Sequence, residues 1–184
     1  MEPDPYLVAE KLLKNRSGKR DTAAPFNMWM TSWINLNLHD WVFHDSVDQD
    51  PYTLQWGPKT SNTFELRRTA LDSEGFTGNT QTPWWDASQI YGTDEKAAKA
   101  LRVKGMCEMQ LDKNGNMPLG PDGIAQGGFI VNWWSGVEIL HNMFVKEHNA
   151  VCAVLRDSHS EMDEEQLHQT ARLVIAGVLA KIHT

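Results

Sequence analysis

His39 stands in an apolar segment, FNMWMTSWINLNLHDWVFHD, one helical turn after Asn35 and directly before Asp40. On a helix, positions i and i+4 share a face, so Asn35 and His39 point one way while Asp40 is rotated by about 100°. A neutral imidazole so placed can look into a core cavity and handle protons while the neighbouring carboxylate serves another site. The plainer alternative is a hydrogen-bonded core histidine beside an exposed aspartate, since polar residues on apolar helices are usually just satisfied.

A second constellation lies in TPWWDAS, where oxygens recur at alternate positions: the Thr82 hydroxyl and carbonyl, the Trp84 carbonyl, the Asp86 carboxylate and the Ser88 hydroxyl. In an extended loop that spacing aims the groups to one side, which suits a hard cation such as Ca²⁺ with its six to eight oxygen ligands. One further carboxylate, such as Asp40, would complete the set. Read alone, the segment is equally an Asx or ST turn in a tryptophan-rich loop. It lacks the DxDxDG spacing of an EF-hand.

Other residues carry weaker signals. Glu147, His148 and Asn149 sit on a strongly apolar helix, and His141, seven residues before His148, shares its face. A metal pair is conceivable there, but a core histidine bonded to a backbone carbonyl is the simpler expectation for His148. His183, beside Lys181 at the end of the last helix, can bind an anion or be a frayed terminal residue. Cys107 and Cys152 lack a basic neighbour pattern, and both read as inert small hydrophobes.

The elements that must position these groups are mostly helical. A short helix is expected over 5–15, and a polar link, SGKRDTAAP, follows it. Trp29, Trp33 and Leu36 recur at i, i+4 and i+7, marking a buried helix face. Residues 44–81 read as an irregular excursion with one hairpin, and 82–92 as a loop punctuated by Pro83 and Gly92. A short helix capped at Thr93 or Asp94 runs to about Arg102. The glycine-rich stretch 112–128 is a long loop. Asn132 is expected to open a helix of about 25 residues, with Trp133, Val137, Leu140, Phe144, Val151 and Leu155 as its apolar stripe. Asp163 caps the last helix, whose expected stripe is Leu167, Ala171, Val174, Val178 and Ile182. That stripe is still running at Thr184 and reads as cut rather than finished.

Composition narrows the classes. The 184 residues carry 17 Lys+Arg against 24 Asp+Glu, a net charge of −7, which argues against a nucleic-acid partner. Two cysteines give neither a disulfide framework nor a zinc-type CxxC. The amino-terminal residues have no apolar core of a secretory signal, and the longest apolar run, Leu173 to Ala180, is far short of the roughly 20 residues of a membrane span. An intracellular, reduced setting is the default expectation. No basic amphipathic helix points to a membrane surface. The unusual number is eight tryptophans, four of them in the adjacent pairs Trp84-Trp85 and Trp133-Trp134.

Taken together, SWINLNLHDW, NTQTPWWDASQIYG, NWWSGVEILHNMFVKEHNAVC and DEEQLHQTARLVIAGVLAKIHT resemble, in order and spacing, the animal-type haem peroxidase superfamily. The likeness is nearest to the fatty-acid α-dioxygenases, through PDPYLVAEKLL, TPWWD.S.IYG, KEHNAVC and AKIHT, and it is weakest across 44–75 and 105–128. The resemblance implies an all-α, haem peroxidase-like helical domain with long loops, residues 1–184 forming part of one catalytic domain. It implies that His39 is the distal haem histidine, with Asn35 where the family often has glutamine. It implies that Asp40, Thr82, Trp84 (through its carbonyl), Asp86 and Ser88 hold calcium, and that His183 helps hold a fatty-acid carboxylate. The implied cofactors are non-covalent haem b and Ca²⁺. The implied reaction is insertion of O₂ at Cα of a fatty acid to give a 2-hydroperoxide. Alternatives are a peroxidase using H₂O₂ and small reductants, and an inactive calcium-binding helical fragment. Lipid substrates leave membrane-surface contact open.

Three departures accompany the likeness. The family's distal arginine falls near Ile130 or Val131. Leu38 replaces the ester-forming aspartate of the mammalian peroxidases. The proximal haem histidine, the radical-forming tyrosine and a carboxylate-binding arginine are expected beyond Thr184, so the chain has no proximal ligand at the right place. Weak haem binding and no sustained turnover are therefore expected of these 184 residues alone.

Overall fold

The computed structural model describes residues 3–14, 25–55 and 63–184. The link expected over residues 17–25 lies, up to residue 24, outside the described residues. Two compact units share the chain, one formed by residues 1–25 and 44–78, the other by 26–43 and 79–184.

In the first unit, α1 (Pro5–Val8) runs directly into a π-helical turn, Ala9–Leu13. The expected hairpin is there: β1 (Ser46–Gln55) pairs antiparallel with β2 (Thr63–Thr69). Its register breaks between Val47 and Tyr52, where Asp50 takes a left-handed φ of 50° and Pro51 has no N–H to give. Arg68 bonds Asp50 and lies 3.8 Å over the Tyr52 ring, bracing the bulge.

The second unit is helical, as expected: α2 (Met28–Trp41), α3 (Ser88–Tyr91), α4 (Glu95–Leu101), α5 (Ser135–Ser158) and α6 (Glu164–His183). Asn27 caps α2 by accepting from Trp29 N, and Asp94 caps α4 by accepting from Ala97 N. At α6 the Asp163 and Gln166 side chains bond each other's backbone N–H, a capping box. The expected start of α5 is corrected: Asn132 has φ 57°, a left-handed conformation that asparagine tolerates, so the loop persists and the helix opens at Ser135. The short α3 inside the expected loop went unread in the sequence, because four residues give no periodicity.

Helix α5 packs against both α2 and α6. The core joins Leu36 of α2, Ile90 and Tyr91 of α3, Leu140, Phe144 and Val145 of α5, and Ile175 and Leu179 of α6. The expected α6 stripe is half right. Leu167 and Ala171 are buried, but the face continues through Ile175 and Leu179 in steps of four, leaving Val174 41% and Ile182 56% exposed. The chain between α4 and α5 is fastened from α5 by two asparagines seven residues apart. Asn142 accepts from Met117 N at 2.8 Å, and Asn149 both accepts from and donates to the Met109 backbone. Among the described residues no helix is long and apolar enough to cross a membrane.

Candidate functional site

His39 is 5% exposed and its ring centroid is 4.7 Å from that of Phe129. Asn35, one turn away, meets it at 3.1 Å through the amide nitrogen and His39 Nε2. The other end of that amide is fixed by Trp134, whose Nε1–H donates to Asn35 Oδ1 at 2.8 Å. An indole N–H can only donate, so it receives the carbonyl oxygen and turns the NH₂ toward the histidine. Nε2 must then accept, and the ring proton sits on Nδ1. That Nδ1 is buried and has no hydrogen-bond partner among the described residues. Burial holds the ring neutral, lowering its pKa to about 4.

Trp134 was not singled out by the sequence reading beyond its place in a pair. Gly136 is what admits it: a Cβ there would lie 2.2 Å from the Trp134 ring and 2.4 Å from Ser32 Oγ. A tryptophan followed two residues later by glycine at a helix start was the available signal. Ile130 and Val131, where the resemblance would put a distal arginine, are hydrocarbon side chains, and Val131 is 47% exposed.

The oxygens of the second constellation do converge. Thr82 Oγ1 is 2.8 Å from Asp86 Oδ1 and 3.0 Å from Ser88 Oγ, and Ser88 Oγ is 3.2 Å from Asp40 Oδ1. The means differ from the extended spacing expected. Trp85 and Ala87 both adopt left-handed φ values, 58° and 59°, so the chain winds round Asp86. Two left-handed non-glycine residues on either side of Asp86 carry strain that surrounding contacts must hold. Trp84 is 79% exposed. Asp40 is 2% exposed; burial first, and the nearby Asp86 charge second, push its pKa up to about 6. Arg172 of α6 braces the loop, 3.3 Å from the Asp86 carbonyl and 3.5 Å from its carboxylate.

His183 is exposed at the end of α6, flanked by three tryptophans: Trp85 and Trp41 edge-on at 5.0 and 5.4 Å, and Trp33 at 6.4 Å. Trp33 and Trp41 are eight residues apart on one face of α2, a face turned well away from that of His39. The structure thus brings the side-chain oxygens of Asp40, Thr82, Asp86 and Ser88 together but sets His183 and His39 on different sides of α2.

His141 and His148 do not form a pair. His141 lies between the Val137 and Gln89 carbonyls, and His148 meets the Cys107 carbonyl and the Tyr91 hydroxyl. The core-histidine expectation for His148 is what the structure shows. The cysteine reading is corrected: Cys107 and Cys152 are joined as a disulfide across 45 positions, because the 102–110 turn lies on the Cys152 face of α5.

With this geometry in hand, comparison with known proteins places the chain in a class. The animal haem peroxidase family matches it over residues 1–184. The chain belongs to that family, whose members bind haem. It is 37% identical to the Pisum sativum alpha-dioxygenase PIOX over 195 aligned positions, which take in 100% of this chain and 30% of that protein. The crystal structure of Arabidopsis thaliana fatty acid alpha-dioxygenase superposes with a TM-score of 0.82 at 36% identity, covering 99% of this chain and 30% of that one. That of a variant Oryza sativa fatty acid alpha-dioxygenase with palmitic acid gives 0.82 at 35%, covering 99% and 31%. The chain therefore spans under a third of the length of the relatives it matches. Those relatives are oxidoreductases.

Proposed function

We propose that this chain holds the distal side of a non-covalent haem b site in a fatty-acid α-dioxygenase, which with O₂ oxygenates its substrate at Cα to a 2-hydroperoxide. The observation that carries the reading is the buried Nδ1–H of His39, unpartnered among the described residues and aimed by Asn35 and Trp134. A donor with no acceptor in apolar surroundings costs about 1–3 kcal/mol unless a ligand satisfies it. Haem, when bound, supplies the redox chemistry. His39 holds a proton at Nδ1 and offers it to an oxygen at the ring edge, while burial keeps the ring neutral near pH 7. Leu38 offers no carboxylate for an ester, which suits a haem held without covalent links.

Asp40, Thr82, Asp86, Ser88 and the Trp84 carbonyl would hold Ca²⁺. Two carboxylates, one of them buried, balance the ion's charge, and the ion would tie α2 to the loop before α3 and so fix the rotation of His39. His183, an imidazole bordered by three indoles, suits a carboxylate with its acyl chain alongside. The partners so implied are a fatty acid and O₂.

The test is a haemin titration of this chain followed by the Soret band, with O₂ uptake on palmitate, and on a phenol with H₂O₂, measured on a full-length enzyme that carries this segment. His39→Ala should alter the Soret band, and O₂ uptake should follow palmitate. A Soret band indifferent to His39→Ala refutes the distal assignment; phenol oxidation without O₂ uptake refutes the dioxygenase reading. For calcium, a saturating ion at 100 times its Kd adds about 2.7 kcal/mol. That is a Tm rise of roughly 5–10 °C for a chain of this size. Asp86→Asn should abolish the rise, and a wild-type Tm unmoved by Ca²⁺ refutes the site.

A further inference from the structure

Away from the distal pocket, Cys107, Cys152 and His148 form a second cluster of ligating atoms, all three residues 0% exposed. Their ligand atoms lie within 4.8 Å of one another. His148 and Cys152 are four apart on α5 and so share a face, with the imidazole Nε2 3.4 Å from the Cys152 sulfur. Cys107 arrives from the turn after α4.

We propose that Cys107, Cys152 and His148 form a redox-gated site for a thiophilic divalent cation such as Zn²⁺, closed by the disulfide and opened by its reduction. Three features support it. First, the sulfurs stay neighbours without the S–S bond. Asn149 clamps the Met109 backbone, Glu164 accepts from Cys107 N at 2.7 Å, and Arg156 ties Glu108 to Glu164. Second, the imidazole is oriented from behind: its Nδ1 is 2.9 Å from the Tyr91 hydroxyl, the outer contact that metal-binding histidines typically have. Third, two thiolates cancel a divalent charge, so the complex can sit in the core without a net charge. Burial also holds His148 neutral; its Nε2 now meets the Cys107 carbonyl at 3.1 Å, and metal binding would exchange that contact for the ion and move the ring proton to Nδ1, beside the Tyr91 hydroxyl. Its neighbour His168, 4.9 Å away between ring centroids, is a further imidazole at hand.

The chemistry balances simply. A dithiol reductant gives up two electrons and two protons and becomes its own cyclic disulfide; the protein S–S bond breaks and two S–H bonds form. Metal binding then releases both thiol protons to solvent and makes two metal–sulfur bonds and one metal–nitrogen bond.

The experiment is a Co²⁺ titration of the purified protein, before reduction and after treatment with dithiothreitol followed by desalting without O₂. Reduced protein should take up one equivalent with a thiolate-to-cobalt charge-transfer band and the strong visible bands of a tetrahedral ion; oxidised protein should show neither. Cys152→Ser should remove the charge-transfer band. Tyr91→Phe, which keeps the ring and deletes the hydroxyl, should weaken affinity by about tenfold. Where reduction loosens the fold, Co²⁺ or Zn²⁺ should restore the helical circular dichroism. The proposal is overturned by reduced protein without the band, by a band that survives Cys152→Ser, or by loosened protein that the metal does not restore.

Discussion

Gly128 and Gly177 should respond in opposite directions to the same substitution, and the structure says by how much. A Cβ on Gly128 would stand 2.3 Å from Gly92 N, 2.4 Å from Ser88 O and 2.8 Å from Gln89 O. Every one of these is backbone, so no side chain can swing aside. Ordinary contact begins at 3.4 Å, so residue 128 must withdraw by about 1 Å. It is held there by Gly128 N to Ile90 O at 3.2 Å and Phe129 N to Gln89 O at 2.9 Å, and withdrawal breaks both bonds. Losing two buried backbone pairs costs about 2–4 kcal/mol, and overpacking adds about 1–3. Gly128→Ala should therefore destabilise by about 4 kcal/mol, lowering Tm by roughly 8–16 °C. Gly177, inside α6, has nothing within 4 Å of its would-be Cβ. There alanine relieves only the chain-entropy cost of helical glycine and should stabilise by about 0.5–1 kcal/mol. Thermal and urea unfolding followed by circular dichroism reads both. A Gly128→Ala protein within about 1 kcal/mol of the parent would refute the close-approach argument. So would a Gly177→Ala protein less stable than the parent.

Three further outcomes follow from single contacts. Trp134→Phe removes the donor that, among the described residues, fixes the Asn35 amide oxygen and so turns its NH₂ toward His39; the His39 ring should lose its exclusive Nδ1–H tautomer, read from ¹⁵N shifts of the imidazole. An unchanged tautomer would show that Asn35 orients without help. His141 is wholly buried, and burial lowers its pKa from 6.5 to about 4. The unfolded chain therefore binds the proton first, so stability is complete above pH 6.5 and falls as pH drops toward 4, by at most about 3 kcal/mol. His148 and His168 slope the same way, so the measurement is the difference between parent and His141→Gln between pH 6.5 and 5; no difference contradicts a neutral, buried His141. Reducing the Cys107–Cys152 bond in metal-free buffer opens a loop of 45 positions and should cost about 4 kcal/mol through the unfolded chain. A urea midpoint indifferent to reductant would show the bond is not formed.

What could be read from the sequence was what periodicity or local chemistry encodes. The i, i+4 spacing of Asn35 and His39 fixed their common face, and TPWWDAS announced its oxygens by type. Asp94 and Asp163 announced two helix starts through their caps. What could not be read was set by approach between distant segments. Trp134 reaches Asn35 across 99 positions, and nothing in NWWSG states that its indole nitrogen will finish as the donor behind a histidine. The same holds for Cys107 and Cys152: each alone is a small hydrophobe, and only the clamping of the 102–110 turn onto α5 makes them a pair. The α6 stripe failed for a related reason. Val174 and Ile175 are equally apolar, and only the position of α5 decides which is turned inward. Sequence therefore names the groups that do chemistry, while the second layer that aims them is a product of the packing. Trp134 behind Asn35 and Tyr91 behind His148 are such contacts, one an indole N–H and the other a hydroxyl, and a phenylalanine at either position deletes it.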